Sequence, residues 1–235
     1  MEVPVWKHAL DIACVIAALP DIILVMTLIA IFIKLVSRGP VLFRQERIGF
    51  RCHRFVCLKF RTMQVGADTS VHEQHLKELM RRNTPMKKMD AGGDPRLIRG
   101  GAFLRALGLD ELPQLINVLR GEMSLVGPRP CVAYEFESYL PAQRERFDTL
   151  PGLTGLWQVR GKNKTTFTEM IEWDICYART KSWWLDLRIM AETFGTLASQ
   201  ISEVRSPSAA RSEQQRNKQF ATSRRVHLTA RSTPH

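Results

Sequence analysis

Apolar residues concentrate near the N-terminus, in a run from Ile12 to Ile33 that Pro20 and Asp21 interrupt. Its length suits one membrane-spanning helix, since roughly 20 apolar residues cross a bilayer. A proline kinks a helix, however, and an ionised Asp21 near the centre costs about 2.5–3.5 kcal/mol. The second interpretation is therefore two shorter arms that meet at residues 19–21 and enter and leave on one membrane face. The third is a buried core helix. Composition alone favours the spanning helix.

After this run, the pattern predicts a β-hairpin over residues 40–63, with its turn at 48–50 and its second strand at 55–63. Because side chains alternate along a strand, Lys59 and Arg61 share one face of the second strand. Two cations on one face can clamp a phosphate. A solvated basic strand face is the commoner meaning of such a pair, and both interpretations stay open.

The later periodic segments predict helices joined by polar turns, so the fold class is α+β and mostly α-helical. In the helix that begins at Asp110, Pro113 is tolerated because it lies in the first turn. Trp183 and Trp184 give the last helix a surface that suits either a membrane interface or a protein core. Residues 203–235 are rich in Ser, Arg and Gln and are expected to be disordered. The predicted helices cover residues 68–82, a stretch ending at 107, 110–119, 134–147 and 167–198.

Positive charge dominates the composition: 34 Lys and Arg against 23 Asp and Glu give +11 over 235 residues. Such a balance favours an anionic partner, which is nucleic acid, anionic lipid or a phosphorylated substrate. No nucleic-acid module, P-loop or G-x-G-x-x-G fingerprint organises these cations. The 5 cysteines are odd in number and contain no C-x-x-C pair. A disulfide scaffold or zinc site is therefore not expected, and a reducing compartment fits the chain better.

The adjacent carboxylates Asp110 and Glu111 are the strongest chemical signal. The N-terminus of a helix favours negative charge, so Asp110 is expected to stay ionised and to be able to attack phosphorus. Glu111 suits a divalent cation, because Mg²⁺ binds through one or two carboxylates plus substrate phosphates. Arg105 and Arg129, together with Arg61, can neutralise phosphate oxygens. Taken alone, an Asp-Glu pair before a helix is more often a cap.

Five long motifs, taken together, resemble one family. They are residues 41–49 (VLFRQERIG), 59–63 (KFRTM), 110–119 (DELPQLINVL), 123–130 (MSLVGPRP) and 151–155 (PGLTG). In this order they resemble the bacterial sugar transferases, the monotopic polyprenyl-phosphate phosphoglycosyl transferases, over roughly residues 8–195.

The resemblance implies an enzyme that moves a hexose-1-phosphate from a UDP-sugar to undecaprenyl phosphate and releases UMP, in exopolysaccharide, capsule or O-antigen synthesis. It implies a re-entrant anchor at residues 1–36, a catalytic domain at 37–202 with interfacial amphipathic helices, and a basic tail at 203–235. The catalytic domain is expected on the cytosolic face of the bacterial inner membrane. The expected partners are the UDP-sugar, undecaprenyl phosphate, inner-membrane lipids and a second copy of the chain, with no nucleic acid.

The family's site residues carry over by motif. The resemblance makes Asp110 the covalent nucleophile and Glu111 the Mg²⁺ ligand. It also implies a set of substrate-binding residues. The Leu-Trp-Gln sequence at residues 156–158 is similar to that of members that transfer galactose- or glucose-1-phosphate. The substrate-binding residues are Lys59, Arg61, Arg105, Pro128, Arg129, Pro130 and Gln158.

Three positions depart from the family pattern. Leu19 replaces the serine expected before Pro20, so no hydroxyl is available there for freed backbone groups. Asp21 adds a carboxylate at the tip of the hairpin. Leu150 stands where an arginine commonly precedes Pro-Gly, which removes one expected phosphate contact.

Overall fold

The computed structural model describes residues 3–67, 70–85, 94–161 and 165–205. The described part is mostly helical, as predicted, and it has two small sheets, of which the sequence predicted one. The helices are α1 (Val5–Ala17), α2 (Leu19–Val36), α3 (Ser70–Arg82), α4 (Gly101–Ala106), α5 (Gln114–Leu119), α6 (Ala133–Glu137), α7 (Leu156–Arg160), α8 (Phe167–Thr180) and α9 (Trp183–Arg205). The strands are β1 (Leu42–Ile48), β2 (Arg54–Phe60), β3 (Ser124–Val126) and β4 (Gly152–Thr154), and 3₁₀ turns occur at Phe50–Cys52, Leu109–Glu111 and Pro141–Phe147.

The chain divides into a large unit, Met1–Phe194, and a C-terminal unit, Gly195–His235. In the second unit the described residues, 195–205, form the end of α9. The expected disordered tail begins within this helix, at residue 203, and its residues 206–235 lie outside the described ranges.

The apolar N-terminal run forms two helices rather than one. The break is at Ala18, whose backbone angles are φ −92° and ψ 0°, and Pro20 lies in the first turn of α2. Proline is accepted in a first turn because the N–H group it lacks has no partner there. The split into two arms agrees with the second sequence interpretation, one residue earlier than expected.

Helix α1 docks onto the rest of the unit through charged side chains. Lys7 and Asp11, four residues apart, are buried on the same helix face as Val15. Lys7 Nζ donates to Asp186 Oδ2 at 2.7 Å, in helix α9, and the amide of Leu125 donates to Asp11 Oδ1 at 3.0 Å. Both ionisable groups bond to the protein, although Asp11 Oδ2 is buried and has no hydrogen-bond partner among the described residues, so this face of α1 belongs to the core.

Helix α2 is the one described helix that is long and apolar enough to cross a membrane by length and composition. One face packs on the core, where Ile29 and Ile33 contact Phe60 and Leu104. Another face leaves large apolar side chains exposed. They are Ile23, Leu24, Leu28, Ile31 and Leu35.

The predicted β-hairpin is confirmed. Strands β1 and β2 pair antiparallel, with Phe43 opposite Lys59. The 3₁₀ turn between the strands places Arg51 and Cys52 at positive φ, 50° and 61°. The second strand ends at Phe60, so Arg61 lies just beyond it.

The parallel pairing of β3 with β4 was not predicted from the sequence, which indicated only a turn at residues 151–155. Glycines make the pairing possible. A side chain on Gly127 would collide with the Leu150 carbonyl, and one on Gly152 with the Gly127 amide. One on Gly155 would meet the Gly127 carbonyl. These motif glycines therefore allow the close approach of two backbones.

Three predicted helices are each divided. The predicted helix 134–147 splits because Pro141 forces Leu140 into an extended conformation with ψ 153°. The predicted helix 167–198 breaks at Lys181. In α9, Ile189 is buried while Trp183 and Trp184 are 48% and 66% exposed, so this helix serves both as core and as surface. The third division, at residues 109–114, affects the site.

Gly152→Ala is expected to lower the thermal unfolding midpoint, because the new methyl would overlap backbone atoms, which cannot rotate away. Overpacking of this kind costs about 1–3 kcal/mol. The matched control is Gly195→Ala, at a helical glycine with no atom within 4 Å of the added carbon. Circular dichroism melts in detergent that show equal midpoints for both variants would contradict this explanation.

Candidate active site

A cavity of about 810 Å³ opens between Pro40, which follows α2, the β-hairpin and the segments around Arg96 and Arg105. Six cationic side chains are among the described residues that line it, and Asp110 is the one carboxylate among them. Clustered cations with low-dielectric walls focus positive potential on a cleft, so the cavity suits a polyanion such as a diphosphate. The cations are Arg44, Arg47, Lys59, Arg61, Arg96 and Arg105.

Asp110 and Glu111 occupy the 3₁₀ turn Leu109–Glu111, which follows Gly108 at φ +68°. The expected helix from Asp110 through Leu119 is instead a 3₁₀ turn followed by α5, which begins at Gln114 with Pro113 as its N-cap. Asp110 is therefore not the cap of α5. The turn instead carries the buried Asp110 to the cavity wall.

Lys59 on β2 reaches Glu111, with Nζ 2.6 Å from Oε1. Their side chains are 23% and 38% exposed, so the pair is partly screened by water. The structure thus brings four predicted site residues to one place. Lys59, Arg105 and Asp110 line the cavity, and Glu111 is bonded to one of the lining cations.

Arg61 also lines the cavity, but its guanidinium is engaged with the segment that leaves α2. Nε donates to the Pro40 carbonyl at 2.5 Å, Nη1 to Ser37 Oγ at 2.8 Å and Nη2 to the Ser37 carbonyl at 3.1 Å. The side chain is buried. Arg61 therefore fixes the end of the apolar helix to the cavity wall, and its expected contact with phosphate stays a prediction.

The Pro128-Arg129-Pro130 turn lies next to the cavity without lining it, and all three of its carbonyls accept hydrogen bonds. The Gly152 amide donates to Pro128 at 2.9 Å. Arg146 Nη2 donates to the Arg129 carbonyl at 2.8 Å, and Arg47 Nη1 donates to the Pro130 carbonyl at 3.1 Å. Two buried arginines that sequence reasoning missed therefore hold this turn.

A buried polar network continues from Arg129. Glu135 lies 3.4 Å from Arg129 Nη1, and its charge raises the pKa of that guanidinium. Arg146 contacts Tyr139 and pairs with Asp174 at 2.5 Å. Burial raises the pKa of Asp174 to about 7, against the opposing charge of Arg146. Removing one partner would leave a buried charge unpaired, which is costly, so the network fixes Arg129 in place.

The two buried thiols near the site are poor nucleophiles. Burial raises the pKa of Cys131 to about 12 and also raises the pKa of Cys57. Thiolate is the reactive form of cysteine, so neither group supplies it near neutral pH. The carboxylate of Asp110 is the nucleophile candidate that the cavity wall presents.

Gln158 is not brought to the cavity. It lies on α7, and its Nε2 donates to the Leu153 carbonyl at 3.2 Å. That bond holds α7 against β4. The resemblance-based substrate contact of Gln158 stays a prediction.

The donor set fits a magnesium ion only in part. Within the described ranges, no group of three or more His, Cys, Asp or Glu side chains could hold a metal. Asp110 and Glu111 are adjacent carboxylates, and Oε1 of Glu111 already faces Lys59. Mg²⁺ ordinarily keeps waters and binds through one or two carboxylates plus substrate phosphates. The site fits an ion that arrives with a diphosphate.

Comparison with known proteins gives a consistent result. A family model described as "Bacterial sugar transferase" matches residues 3–200. The chain is similar to the "UDP-galactose-lipid carrier transferase" of Erwinia amylovora, with 39% identity over 184 residues, 77% of this chain and 39% of that protein. The chain thus spans about two fifths of the length of that relative.

Two further relatives are matched over most of their length. The "Exopolysaccharide production protein ExoY" of Sinorhizobium fredii is 37% identical over 195 residues, 80% of this chain and 83% of that protein. The "UDP-glucose:undecaprenyl-phosphate glucose-1-phosphate transferase" of Caulobacter vibrioides is 40% identical over 205 residues, 84% of this chain and 71% of that protein.

Proposed function

Starting from the fact that the chain belongs to the bacterial sugar transferase family, we propose that it transfers a hexose-1-phosphate from a UDP-sugar to undecaprenyl phosphate and releases UMP. The observation that carries the proposal is the cavity that buried Asp110 lines together with six cationic side chains. Relatives named for galactose and for glucose favour one of these sugars.

In the first step, a carboxylate oxygen of Asp110 attacks the phosphorus that carries the sugar. The new bond joins Asp110 to the phosphosugar, and the bond to the UMP oxygen breaks with its electron pair leaving on UMP. Carboxylates form such covalent intermediates in other phosphoryl transfers. Arg105 and the other lining cations compensate the charge that develops on the phosphate oxygens.

In the second step, a phosphate oxygen of undecaprenyl phosphate attacks the same phosphorus. Its bond to Asp110 breaks, the carboxylate is restored, and the sugar leaves as a diphosphate-linked lipid. The end of α2 lies at this cavity because Arg61 binds the segment that follows it. A lipid held beside α2 can therefore present its head group to Asp110.

We propose that Glu111 holds Mg²⁺ when the diphosphate is bound. The ion supplies positive charge to the diphosphate and the departing UMP. Lys59 orients Glu111 in its absence. The Pro128-Arg129-Pro130 turn supports the nucleotide through the Arg129 guanidinium, which Glu135 restrains.

The anchor is proposed to be re-entrant. Lys7 near the start of α1 contacts Asp186 of α9, so the N-terminal end of the anchor and the catalytic unit lie on the same side of any membrane that α2 enters. Lys34 and Arg38 at the other end favour the cytosolic side. Exposed Trp183 and Trp184 suit the interface of the bacterial inner membrane. The second copy of the chain expected from the sequence stays a prediction.

Asp110→Asn is expected to reduce UMP release from UDP-galactose or UDP-glucose with undecaprenyl phosphate by about a thousandfold or more, as loss of a covalent nucleophile does elsewhere. Membrane association should be unchanged, because Asp110 lies outside α1 and α2. The control is Asp148→Asn, at an exposed carboxylate outside the cavity lining. Wild-type turnover in Asp110→Asn would remove the nucleophile from this mechanism.

Chelation of divalent cations is expected to abolish transfer, and added Mg²⁺ should restore it, because the ion proposed to bind Glu111 supplies positive charge to the diphosphate and the departing UMP. Glu111→Gln should raise the Mg²⁺ concentration needed for half-maximal rate. Full turnover after EDTA treatment would contradict the metal assignment.

Two variants can each carry a single cysteine, at Val3 or at Arg38, in a chain whose native cysteines are replaced. The two cysteines are expected to behave alike. A membrane-impermeant maleimide should label neither in intact cells and both after permeabilisation, because a re-entrant anchor leaves both ends in the cytosol. Labelling of the position 3 cysteine in intact cells would instead indicate that the anchor crosses the bilayer.

A further inference from the structure

Strand β2 has an outer edge that no described strand covers, since its sheet contains only β1 and β2. Alternate residues of a strand direct their N–H and C=O groups to the same edge. Cys57 and Leu58 are buried, so peptide groups at this edge need partners within the protein. One side chain provides them.

Asn117 on α5 is completely buried and occupies that edge. The Leu58 amide donates to Asn117 Oδ1 at 3.1 Å, and Asn117 Nδ2 donates to the Val56 carbonyl at 2.8 Å. The side-chain amide thus takes the place of a peptide group from a third strand. Nδ2 also donates to Glu122 Oε2 at 2.6 Å, so both hydrogens of the amide are used.

These bonds join the two halves of the site. Leu58 directly precedes Lys59, which lines the cavity. Asn117 follows Asp110 and Glu111 by two turns of a nearly continuous helical stretch, in which Leu112 and Pro113 also have helical backbone angles. The amide therefore sets the position of the two acids relative to Lys59, which meets Glu111 at 2.6 Å.

We propose that Asn117 is a positioning residue for the proposed transfer reaction: its side-chain amide fixes the distance between the cationic strand and the Asp110-Glu111 pair. The inference rests on the proposed function only for its kinetic consequence. A displacement of about 1 Å at a reacting group can cost about a hundredfold in rate, so a small change in the length of this connection should be visible in kcat.

Asn117→Gln is the informative variant, because it keeps the amide and lengthens its tether by one methylene. Its thermal midpoint should stay nearer to the wild-type value than that of Asn117→Ala, which leaves the strand edge unpaired. Its kcat for UMP release should fall about 10- to 100-fold, with KM for the UDP-sugar within about twofold, because the other lining cations are untouched. The matched control is Asn83→Gln, which lengthens an exposed asparagine bonded to the Thr168 amide.

A second measurement does not depend on turnover. Amine acylation followed by mass spectrometry should show Lys59 modified several-fold faster in Asn117→Gln than in the wild type, because its pairing with Glu111 is loosened. Exposed Lys77 serves as the internal reference.

The outcomes separate the two proposals. Wild-type kcat and unchanged Lys59 acylation in Asn117→Gln would overturn the positioning role, as would a loss of kcat that matches the unfolded fraction. If the wild-type protein does not release UMP, the proposed function is overturned. The comparison of Lys59 acylation between Asn117→Gln and the wild type would still decide the role of Asn117.

Discussion

The ammonium group of Lys7 is the contact on which the arrangement of the chain depends. It is completely buried, and its three N–H groups have three partners: Asp186 Oδ2, the Tyr177 hydroxyl and the Val126 carbonyl. An unpaired charge at this depth would be very costly, and breaking a buried pair typically costs about 3–5 kcal/mol. Because the partners belong to α9, α8 and β3, one side chain defines how α1 meets three elements.

Because of this contact, the two ends of the apolar N-terminal segment are held to the protein by different kinds of bond. The start of α1 is held by charge inside the protein, whereas the end of α2 is held by Arg61, whose guanidinium bonds the backbone of Ser37 and Pro40. Between them, α2 exposes large apolar side chains. The apolar N-terminal segment is thus bonded at both ends to the unit that carries the cavity.

Within the site, too, the groups that line the cavity are distinct from most of the groups that hold the backbone in place. The groups that line the cavity come from short segments, among them the two hairpin strands, a 3₁₀ turn and the six-residue helix α4, that have little stability of their own. Buried polar groups fix the backbone nearby: Asn117 bonds the β2 edge, and Arg146 and Arg47 bond the adjacent Pro128-Arg129-Pro130 turn. A buried, hydrogen-bonded polar network restrains geometry, which a site for phosphoryl transfer requires.

The sequence by itself determined the family and part of the local structure, and it predicted the chemistry. It predicted the hairpin, the break in the apolar run, and the assembly of Lys59, Arg105 and Asp110 around one site, because these features depend on short-range pattern and on long motifs. It did not predict the β3–β4 pairing, the separation of Asp110 from α5, or the roles of Lys7 and Asn117. Those were decided only by the tertiary structure, because they depend on which backbones approach closely and on which partner satisfies a buried polar group, and neither has a periodic signal along the chain.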